Sequence, residues 1–490
     1  MKRPAAVIGS GIGGLASAIR LAAKGYQVSV YEQSWQAGGK IRELHLEGFR
    51  FDTGPSLLTF PSLVDELYTL CGENPIDYFG YRPVKVTCKY FWEDGTMLNA
   101  WQEPEQFAAE IQKVTGLEAA KVLAYLRESN ELFDLTGDAF LFHSLHKLSN
   151  FVTPIFRKTL LNAHKLDAFC TLHKRNNRWL SHHKVVQIFD RYATYNGSSP
   201  YKAPATLRII AHLEHNTGAF FPERGMYDIV ISLTTLAERQ GVDFHFNAQV
   251  EKVNIVAGGV AGLRVNGEDL AFDLVVSNVD SVNFYRHLLP EIKMPRKQLS
   301  LDRSSSAIIF YWGINRTFPN IELHNVLFSE NYSGEFNHLF NTKTVSNDPT
   351  VYLFVSSKMV KTDAPAGCEN WYAMINAPAN VGQDWDAMIT KVRRDIIEKI
   401  KRTLKVDIEP HIVCEAVADP RTNERDTGSF RGSLYGLSSN NMLAAFNRHP
   451  NFHKKIRNLY FAGGSVHPGG GIPLCLASAK IIDKEIPQLK

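Results

Sequence analysis

The chain has 490 residues, of which 44% are hydrophobic and 21% charged, the balance of an ordinary globular protein rather than of a disordered one. Lysine and arginine number 54 against 50 aspartate and glutamate residues, and the net charge of +4 gives no reason to expect a nucleic-acid partner. The length suits about three domain-sized units, or one core interrupted by insertions.

The cysteines and the first residues bear on the cellular compartment. Six cysteines stand at positions 71, 88, 170, 368, 414 and 475 without a close pair, which favours reduced thiols in a cytosolic protein. Residues 1–4 run directly into an apolar strand and show no secretory signal pattern. No apolar run reaches the ~18 residues that a membrane-spanning helix needs, so any membrane contact is expected to be peripheral.

A dinucleotide-binding pattern begins at residue 5. Residues 5–8 form a short apolar run typical of a buried parallel strand, and Gly9, Gly11 and Gly14 follow with the spacing GxGxxG. In such a loop the first glycine permits a tight turn, the second lets a pyrophosphate approach the backbone, and the third lets the next helix pack on the strand. The sequence therefore predicts a strand, a phosphate-binding loop and a helix, in this order.

The helix and the strand after it complete the pattern. Apolar residues recur at helical spacing over 15–22, Gly25 suits the C-terminal cap, and residues 28–31 form a second strand that ends at Glu32. The helix N-terminus favours an anion, and the Glu32 carboxylate can accept hydrogen bonds from a ribose diol while repelling a 2′-phosphate. We expect a dinucleotide other than NADP, and at this point FAD and NAD both remain open.

Residues 103–212 have a helical pattern in which aromatic and basic side chains are interleaved. Next, residues 242–253 alternate as one strand, and further strands are predicted over 260–265 and 273–278.

Residues 290–421 mix strands, such as 306–312 and 350–355, with a helix over 384–404. We interpret this stretch as a substrate domain.

The C-terminal part has the same order of features as the N-terminal part: an apolar strand, a glycine-rich loop and a helix. Residues 458–464 predict an apolar strand that ends in small residues, and Gly469, Gly470 and Gly471 precede a helix with Pro473 at its first position. Glycines before a helix N-terminus let the backbone lie against a planar ring, and the helix dipole stabilises negative charge there. A glycine-rich turn that only caps the helix is the alternative. If both ends of the chain serve one nucleotide, the nucleotide domain is discontinuous.

Five short blocks carry a resemblance to known flavoproteins. Residues 38–42, Gly-Gly-Lys-Ile-Arg, resemble the segment that follows the ribose acid in amine oxidases, protoporphyrinogen oxidases and carotenoid desaturases. Further blocks at 48–56, 221–226, 432–436 and 462–473 resemble the bacterial carotenoid desaturases of the phytoene-desaturase type, and the likeness covers nearly the whole chain.

The block at 462–473, together with residues 190–197, looks more like the hydroxycarotenoid 3,4-desaturase branch of that family. The resemblance implies an FAD enzyme that removes two hydrogens from a carotene or hydroxycarotene by 3,4-desaturation. A hydride passes to flavin N5, the polyene delocalises the resulting cation, and a proton then leaves. Oxygen or a quinone is expected as the electron acceptor.

The resemblance also implies an α/β fold. It comprises a discontinuous, Rossmann-like FAD-binding domain of the glutathione-reductase or amine-oxidase type, a mixed-sheet substrate domain and a helical, membrane-associated lid. The predicted FAD-binding domain comprises residues 1–75, 213–288 and 450–490, the substrate-binding domain residues 76–102 and 289–449, and the lid residues 103–212.

The predicted FAD contacts come from the fingerprint and from the family blocks, and backbone near Val250 is expected to face the adenine. The candidates are Gly9, Gly11, Ile12, Gly13, Gly14, Glu32, Gln33, Gly39, Lys40, Arg42, Gly54, Pro55, Ser56, Val250, Gly463, Gly464, Gly471, Ile472 and Pro473. No metal site is expected, because the histidines, His182 and His183 included, show no ligand spacing.

Asp52, Glu214 and His467 are the candidates for direct chemistry, although no strong base is required when the cofactor carries the difficult step. Each has a second interpretation. Asp52 can cap the turn at 53–54, Glu214 can be a solvated helix charge, and His467 can pack beneath the flavin.

The helical stretch carries a basic, aromatic, amphipathic segment over about 133–165, which suits interfacial helices that dip into lipid. The alternative is that the aromatic side chains form the core of a helical lid. Because a carotenoid lives in the bilayer, we expect a cytoplasmic protein that associates peripherally with the inner face of the membrane.

Several other functions are compatible with parts of the sequence. A phytoene desaturase, or a carotenoid cis–trans isomerase that uses reduced FAD, would carry similar motifs, whereas an amine oxidase is disfavoured without a clear aromatic cage. A flavin-free escort protein that binds prenyl groups shares the fold. The presence of Gly9, Gly11, Gly14, Glu32 and residues 469–471 argues against that class.

Overall fold

The computed structural model describes residues 3–167, 169–294 and 296–489, so positions 1, 2, 168, 295 and 490 of the predicted domains lie outside the described residues. The strands are β1 Pro4–Ile8, β2 Gln27–Tyr31, β3 Glu43–Leu46, β4 Phe49–Asp52, β5 Leu58–Thr59, β6 Tyr81–Pro83, β7 Val86–Phe91, β8 Met97–Trp101, β9 Ala219–Pro222, β10 Asp243–His245, β11 Val250–Val256, β12 Gly259–Val265, β13 Glu268–Ala271, β14 Leu274–Ser277, β15 Ser306–Ile314, β16 His324–Leu327, β17 Val351–Phe354, β18 Glu369–Ala377, β19 Ile412–Ala418 and β20 Leu459–Phe461. The helices are α1 Ile12–Ala23, α2 Ser62–Leu70, α3 Pro104–Thr115, α4 Ala119–Leu141, α5 Pro154–Leu161, α6 Leu172–Leu180, α7 His183–Asp190, α8 Ile209–His215, α9 Asp228–Arg239, α10 Ser281–Asn283, α11 Arg296–Ser300, α12 Tyr332–Asn337, α13 Trp385–Leu404, α14 Pro420–Thr427, α15 Ala444–Asn447 and α16 Ile472–Asp483.

A five-stranded sheet in the order β10-β2-β1-β14-β20 joins distant parts of the chain, and all four of its strand pairs are parallel. The buried β1 pairs with β2 on one side and with β14 on the other, and β14 in turn pairs with β20. Helix α1 packs against α16, which follows β20. The discontinuous, Rossmann-like α/β fold is thereby confirmed, while the exact domain boundaries stay a prediction.

The prediction of one strand over 242–253 is wrong. The stretch is divided between β10, which closes the edge of the parallel sheet, and β11, which begins a separate antiparallel sheet with β12 and β13. Asn247 adopts a left-handed conformation with φ 53°, and this breaks the extended run between the two strands. Alternation alone could not reveal the break, because both halves have the same period.

A seven-stranded mixed sheet in the order β19-β15-β18-β17-β16-β7-β8 takes strands from both sides of the helical region. β7 and β16 are parallel neighbours, and the other pairs are antiparallel. One face packs against α13 through a buried core that includes Phe310, Trp312 and Trp371. The alternate residues of the same strands therefore point to the opposite face, which lines a cavity.

The stretch 103–212 is helical, as predicted, and contains α3 to α7 and part of α8. Some of its aromatic and aliphatic side chains form a buried core, as expected of a helical lid, and others are exposed, as expected of helices that contact lipid. Leu145 and Phe156 are buried, whereas Leu148, Leu160 and Leu161 are exposed. Within the part of the chain that the structure describes, no helix is both long and apolar enough to cross a membrane.

Candidate active site and cofactor cavity

A cavity of about 1000 Å³ runs between the parallel sheet and the seven-stranded sheet. Its wall begins at the carboxyl end of β1, where Gly9 and Gly11 lie, and continues past the ends of β2 and β14 at Glu32 and Asn278. It then passes the N-terminus of α16 and reaches the inner face of the mixed sheet. Ligands of open parallel sheets bind at this edge, so the placement suits a nucleotide.

The glycines of the first loop bring backbone segments into direct contact. Gly9 has φ +90°, a conformation that L side chains rarely adopt. A Cβ at Gly14 would lie 2.0 Å from the carbonyl oxygen of Gly9, and a Cβ at Gly39 would lie 3.3 Å from the Cα of Gly11. The loop therefore leaves α1 tightly packed on the strand, with its N-terminus at the cavity.

Glu32 is buried at the end of β2. The backbone N–H and the hydroxyl of Ser10 donate to its Oε2 at 2.9 and 2.8 Å, and the N–H of Ser34 donates to its Oε1 at 2.9 Å. These three donors hold the carboxylate at the cavity wall, beside Gln33, Gln249 and Val250. This is the geometry expected of an acid that binds a ribose diol.

Two helix N-termini reach the cavity without a capping side chain. Gly11 precedes α1 and Gly471 precedes α16, and neither of these N-cap residues has a side chain that could accept a hydrogen bond from the first turn of its helix. A Cβ at Gly471 would meet no heavy atom within 4 Å, so this residue, with φ +110°, faces open space. Unpaired N–H groups and the helix dipole at both places fit the diphosphate and the anionic edge of a flavin.

Arg42 and Lys40 supply positive charge to the same wall. Arg42 Nη2 donates to the carbonyl of Asp426 at 2.8 Å, and its buried Nε has no partner among the described residues. Lys40 Nζ donates to the carbonyl oxygen of Leu434 at 2.6 Å, and burial lowers its pKa. Arg42 therefore has hydrogen-bonding capacity left for an anionic ligand, and together these residues fit FAD.

Seventeen of the nineteen predicted FAD contacts line the cavity, and Gly14 and Gly463 do not. Both of these glycines pack behind the wall. A Cβ at Gly463 would lie 2.2 Å from Asn278 Nδ2, and the Gly463 N–H donates to Ser478 Oγ at 2.8 Å. α16 begins at Ile472, so Pro473 lies in its first turn, one position later than expected.

Asp52 lies outside the cavity and does not cap the turn at 53–54. Its carboxylate accepts hydrogen bonds from the N–H groups of Met226 and Tyr227 at 2.9 and 3.0 Å and from Arg50 Nη2 at 2.9 Å. Arg50 also contacts Asp363. Burial raises the pKa of Asp52, and the arginine opposes this shift. The environment of Asp52 joins β4 to the turn before α9, which is a structural role.

Glu214 is not a solvated helix charge, because only 1% of it is exposed. Arg191 Nη2 donates to its Oε1 at 3.2 Å, and Tyr192 and Tyr195 also donate to its carboxylate. Burial opposes ionisation, yet Arg191 and the other donors outweigh it and leave the pKa of Glu214 below its usual value. Glu214 itself does not line the cavity, but Arg191 and Tyr195 do.

His467 also lies outside the cavity wall. Its Nε2 is 3.0 Å from the carbonyl oxygen of His143, and its ring is edge-on to that of His146. Burial lowers the pKa of His467 to about 3, so the ring is neutral at physiological pH. The contacts attach the glycine-rich segment before α16 to the loop that follows α4.

The inner face of the mixed sheet forms an aromatic wall that the sequence did not single out. Tyr311 and Tyr372 meet edge-to-face with ring centroids 5.5 Å apart, and Tyr372 and Tyr352 do so at 6.2 Å. Ile309 and Met374 lie on the same face. A flat, apolar, elongated ligand matches such a wall.

A polar group of residues lies where the cavity passes β16 and β7. Tyr352, His324, Arg191 and Tyr195 line this part. Arg191 and Tyr195 belong to the block 190–197 that resembles the hydroxycarotenoid 3,4-desaturases, whereas Tyr352 and His324 belong to none of the blocks. The four residues come together only through long-range packing. Asn278, in contrast, could have been found, because it is the last residue of the strand predicted over 273–278, and polar residues at strand ends commonly line ligand sites.

Among residues 3–167, 169–294 and 296–489, no group of three or more His, Cys, Asp or Glu side chains is arranged to hold a metal ion.

The fold and the dinucleotide site define a flavoprotein. A family model described as flavin containing amine oxidoreductase matches residues 12–481, and the chain belongs to this family. It is 47% identical over 485 residues to a 1-hydroxycarotenoid 3,4-desaturase of Flavobacterium sp. (strain P99-3), with 99% of each chain covered. It is also 30% identical to a 4,4'-diapolycopene oxygenase of Methylomonas sp., with 99% of this chain and 98% of that protein covered. The resemblance to carotenoid desaturases is confirmed.

Solved structures of the same fold are more distant in sequence. Putrescine oxidase bound to putrescine gives a TM-score of 0.62 at 14% identity, with 99% of each chain covered. Cyclohexylamine oxidase from Brevibacterium oxydans IH-35A gives a TM-score of 0.61 at 15% identity, again with 99% of each chain covered. At such identities the likeness concerns the fold alone.

Proposed function

We propose that the protein is an FAD-dependent desaturase that removes two hydrogens from C3 and C4 of a 1-hydroxycarotenoid. The observation that carries the proposal is one continuous cavity, which joins the dinucleotide loop at Gly9 to the aromatic wall of Tyr311, Tyr372 and Tyr352. The 47% identity to a desaturase of that specificity supports the choice of substrate. When bound, FAD accepts the hydride.

The residues of the chain bind the cofactor and orient the polyene. The N-termini of α1 and α16, with Arg42, hold the anionic parts of the cofactor, and Glu32 holds a ribose. The tyrosine wall aligns the polyene and excludes water from it. Since none of Asp52, Glu214 and His467 lines the cavity, the proposal assigns none of them a direct proton transfer.

Product analysis in carotenoid-accumulating cells tests the function. In cells that contain a 1-hydroxycarotenoid, we expect a product that has lost two hydrogens and absorbs at longer wavelength, because the new double bond extends the conjugated system. Cells with an empty vector are the control. A product of unchanged mass would indicate an isomerase, one that gains oxygen would indicate an oxygenase, and desaturation of phytoene instead would change the assigned substrate. Each of these results would contradict the proposal.

Oxygen or a quinone is proposed as the acceptor that reoxidises FAD. Turnover in anaerobic membranes supplemented with a quinone distinguishes the two.

We also propose that the protein docks on the cytoplasmic face of a membrane through a surface that we call the apolar patch, formed by Leu148, Leu160, Leu161 and Phe169. These side chains expose 86, 73, 80 and 91% of their area. Among the described residues, the neighbouring Arg157 and Lys158 form no ion pair. Exposed leucines beside unpaired cations suit an anionic lipid surface.

Co-sedimentation with anionic phospholipid vesicles tests the patch. The triple variant L148S/L160S/L161S should reduce vesicle binding by about tenfold or more. Each substitution replaces an apolar side chain that would otherwise enter the bilayer with a small polar one. A matched triple variant, I76S/V256S/V381S, replaces residues elsewhere that are 84, 66 and 51% exposed and should bind as the native protein does. Equal binding by both variants would contradict the proposal.

A further inference from the structure

The polar part of the cavity contains a chain of hydrogen bonds that ends on an unsatisfied atom. Ser56 Oγ and Tyr352 Oη are 2.6 Å apart, and Tyr352 Oη is 2.7 Å from His324 Nδ1. His324 Nε2 is buried and has no partner in the described part of the molecule. Only 2% of His324 is exposed, and the residue lines the cavity.

Burial lowers the pKa of His324 to about 3, with the nearby Arg191 acting in the same direction and Glu214 against it. The imidazole is therefore neutral, and in either tautomer one ring nitrogen bonds Tyr352 while the other needs a partner. If Nδ1 donates to Tyr352, then Nε2 accepts. If Nδ1 accepts from Tyr352, then Nε2 donates. A hydroxyl group, which both donates and accepts, satisfies Nε2 in both cases.

The other polar side chains around this position have partners for most of their polar atoms, although the buried Nε of Arg191 has none among the described residues. Arg191 is bonded to Tyr90 Oη at 2.7 Å and to Glu214, and Thr87 Oγ1 donates to the carbonyl of Ala100 at 3.1 Å. A buried polar atom without a partner is unusual in a folded protein and commonly indicates a missing ligand or water. Within this polar group, His324 Nε2 and Arg191 Nε are thus the buried nitrogens without a partner in the described part of the molecule, and His324 Nε2 is the one that ends the chain of hydrogen bonds from Ser56.

We infer that His324, held by Tyr352 and Ser56, binds the hydroxyl group at the end of the polyene and so selects hydroxylated over non-hydroxylated carotenoids. The inference rests on the proposed function. In a 1-hydroxycarotenoid the hydroxyl group is attached to C1, and C1 is two bonds from C3. The hydroxyl group must therefore lie near the place where C3 and C4 are oxidised. Ser56 belongs to the segment predicted to contact FAD, and two hydrogen bonds link it to His324.

A site with a buried hydrogen-bonding atom rejects an analogue that lacks the partner group, because the atom is then left unpaired. Selectivity is therefore expected to fall when that atom is removed. In the variant H324F the ring plane is kept and both nitrogens are lost. The variant Y352F keeps histidine but breaks its connection to Ser56.

The test compares kcat/KM for a 1-hydroxycarotenoid with that for the same carotenoid without the hydroxyl, using FAD-loaded protein and carotenoid in vesicles. We expect native protein to favour the hydroxylated substrate and H324F to reduce the ratio by about tenfold or more. Y352F should reduce the ratio by a smaller factor. Y311F is the matched control. Tyr311 lines the same wall, but its strand β15 lies two strands from β17, which carries Tyr352. The Y311F substitution should therefore leave the ratio of the two kcat/KM values unchanged.

The dissociation constants of the two carotenoids for the FAD-loaded protein, measured by quenching of tryptophan fluorescence, give the same ratio without turnover. A ratio near one for native protein, or one unchanged in both H324F and Y352F, would overturn the inference. If native protein binds the pair selectively through His324 but desaturates neither, then the proposed function fails and the binding inference stands. Thermal unfolding of each variant shows whether it is folded.

Discussion

Gly14→Ala is expected to yield protein that contains almost no FAD. The new Cβ would lie 2.0 Å from the Gly9 carbonyl oxygen, far inside van der Waals contact, so α1 and the loop must move apart. A backbone shift of this kind costs about 3 kcal/mol, and it displaces the helix N-terminus that faces the cavity. We expect the FAD dissociation constant to rise by about a hundredfold or more, measured by flavin absorbance per chain and by titration of the apoprotein.

Ser17→Ala is the control in the same helix. Its hydroxyl donates to the Gly13 carbonyl within α1, and its loss places no new atom in the loop. This variant should bind FAD as the native protein does. Full flavin content in Gly14→Ala would show that the loop does not have the packing described.

Asp52→Ala should lower the free energy of unfolding by about 3–5 kcal/mol without a specific effect on the chemical step. The substitution removes the acceptor of two buried N–H groups, at Met226 and Tyr227, and a partner of Arg50. The measurements are denaturant unfolding and turnover per bound flavin. The latter should change little in Asp52→Asn, which retains one acceptor oxygen.

Glu43→Ala tests whether the effect belongs to Asp52 rather than to any carboxylate beside Arg50. Glu43 also accepts a hydrogen bond from Arg50, at 2.7 Å, but it is partly exposed. Its loss should destabilise the protein by about 1 kcal/mol or less. A loss of turnover per bound flavin in Asp52→Asn, with stability intact, would instead make Asp52 a catalytic residue.

The nucleotide-binding part of the fold could be predicted because its information is local. The strand over 5–8, the three glycines, the amphipathic helix and Glu32 follow one another within 28 residues, and each has a strong conformational or chemical reason to be there. The segment before α16 has the same character. A glycine with positive φ, such as Gly471, can be recognised in a sequence as the sign of a tight turn, because few other residues adopt that conformation.

The substrate side could not be predicted to the same depth, because it depends on pairing between distant strands. β7 lies beside β16, more than 200 residues later in the chain, and no local pattern specifies that register. His324 and Tyr352 are brought together only by the antiparallel pairing of β16 with β17. The roles expected of Glu214 and Asp52 also changed, because burial and partners decide what a carboxylate does.

The pairing of β14 with β20, and of α1 with α16, has a consequence for biosynthesis. The ribosome completes Gly9 to Glu32 first and adds Gly471 and Pro473 hundreds of peptide bonds later. During most of translation, the early segment therefore lacks the strands and the helix that it packs against in the folded protein. One edge of the apolar strand β1 has no strand partner until β14 has been synthesised. The complete wall of the FAD site therefore exists only after the C-terminal helix α16 has been synthesised and has docked.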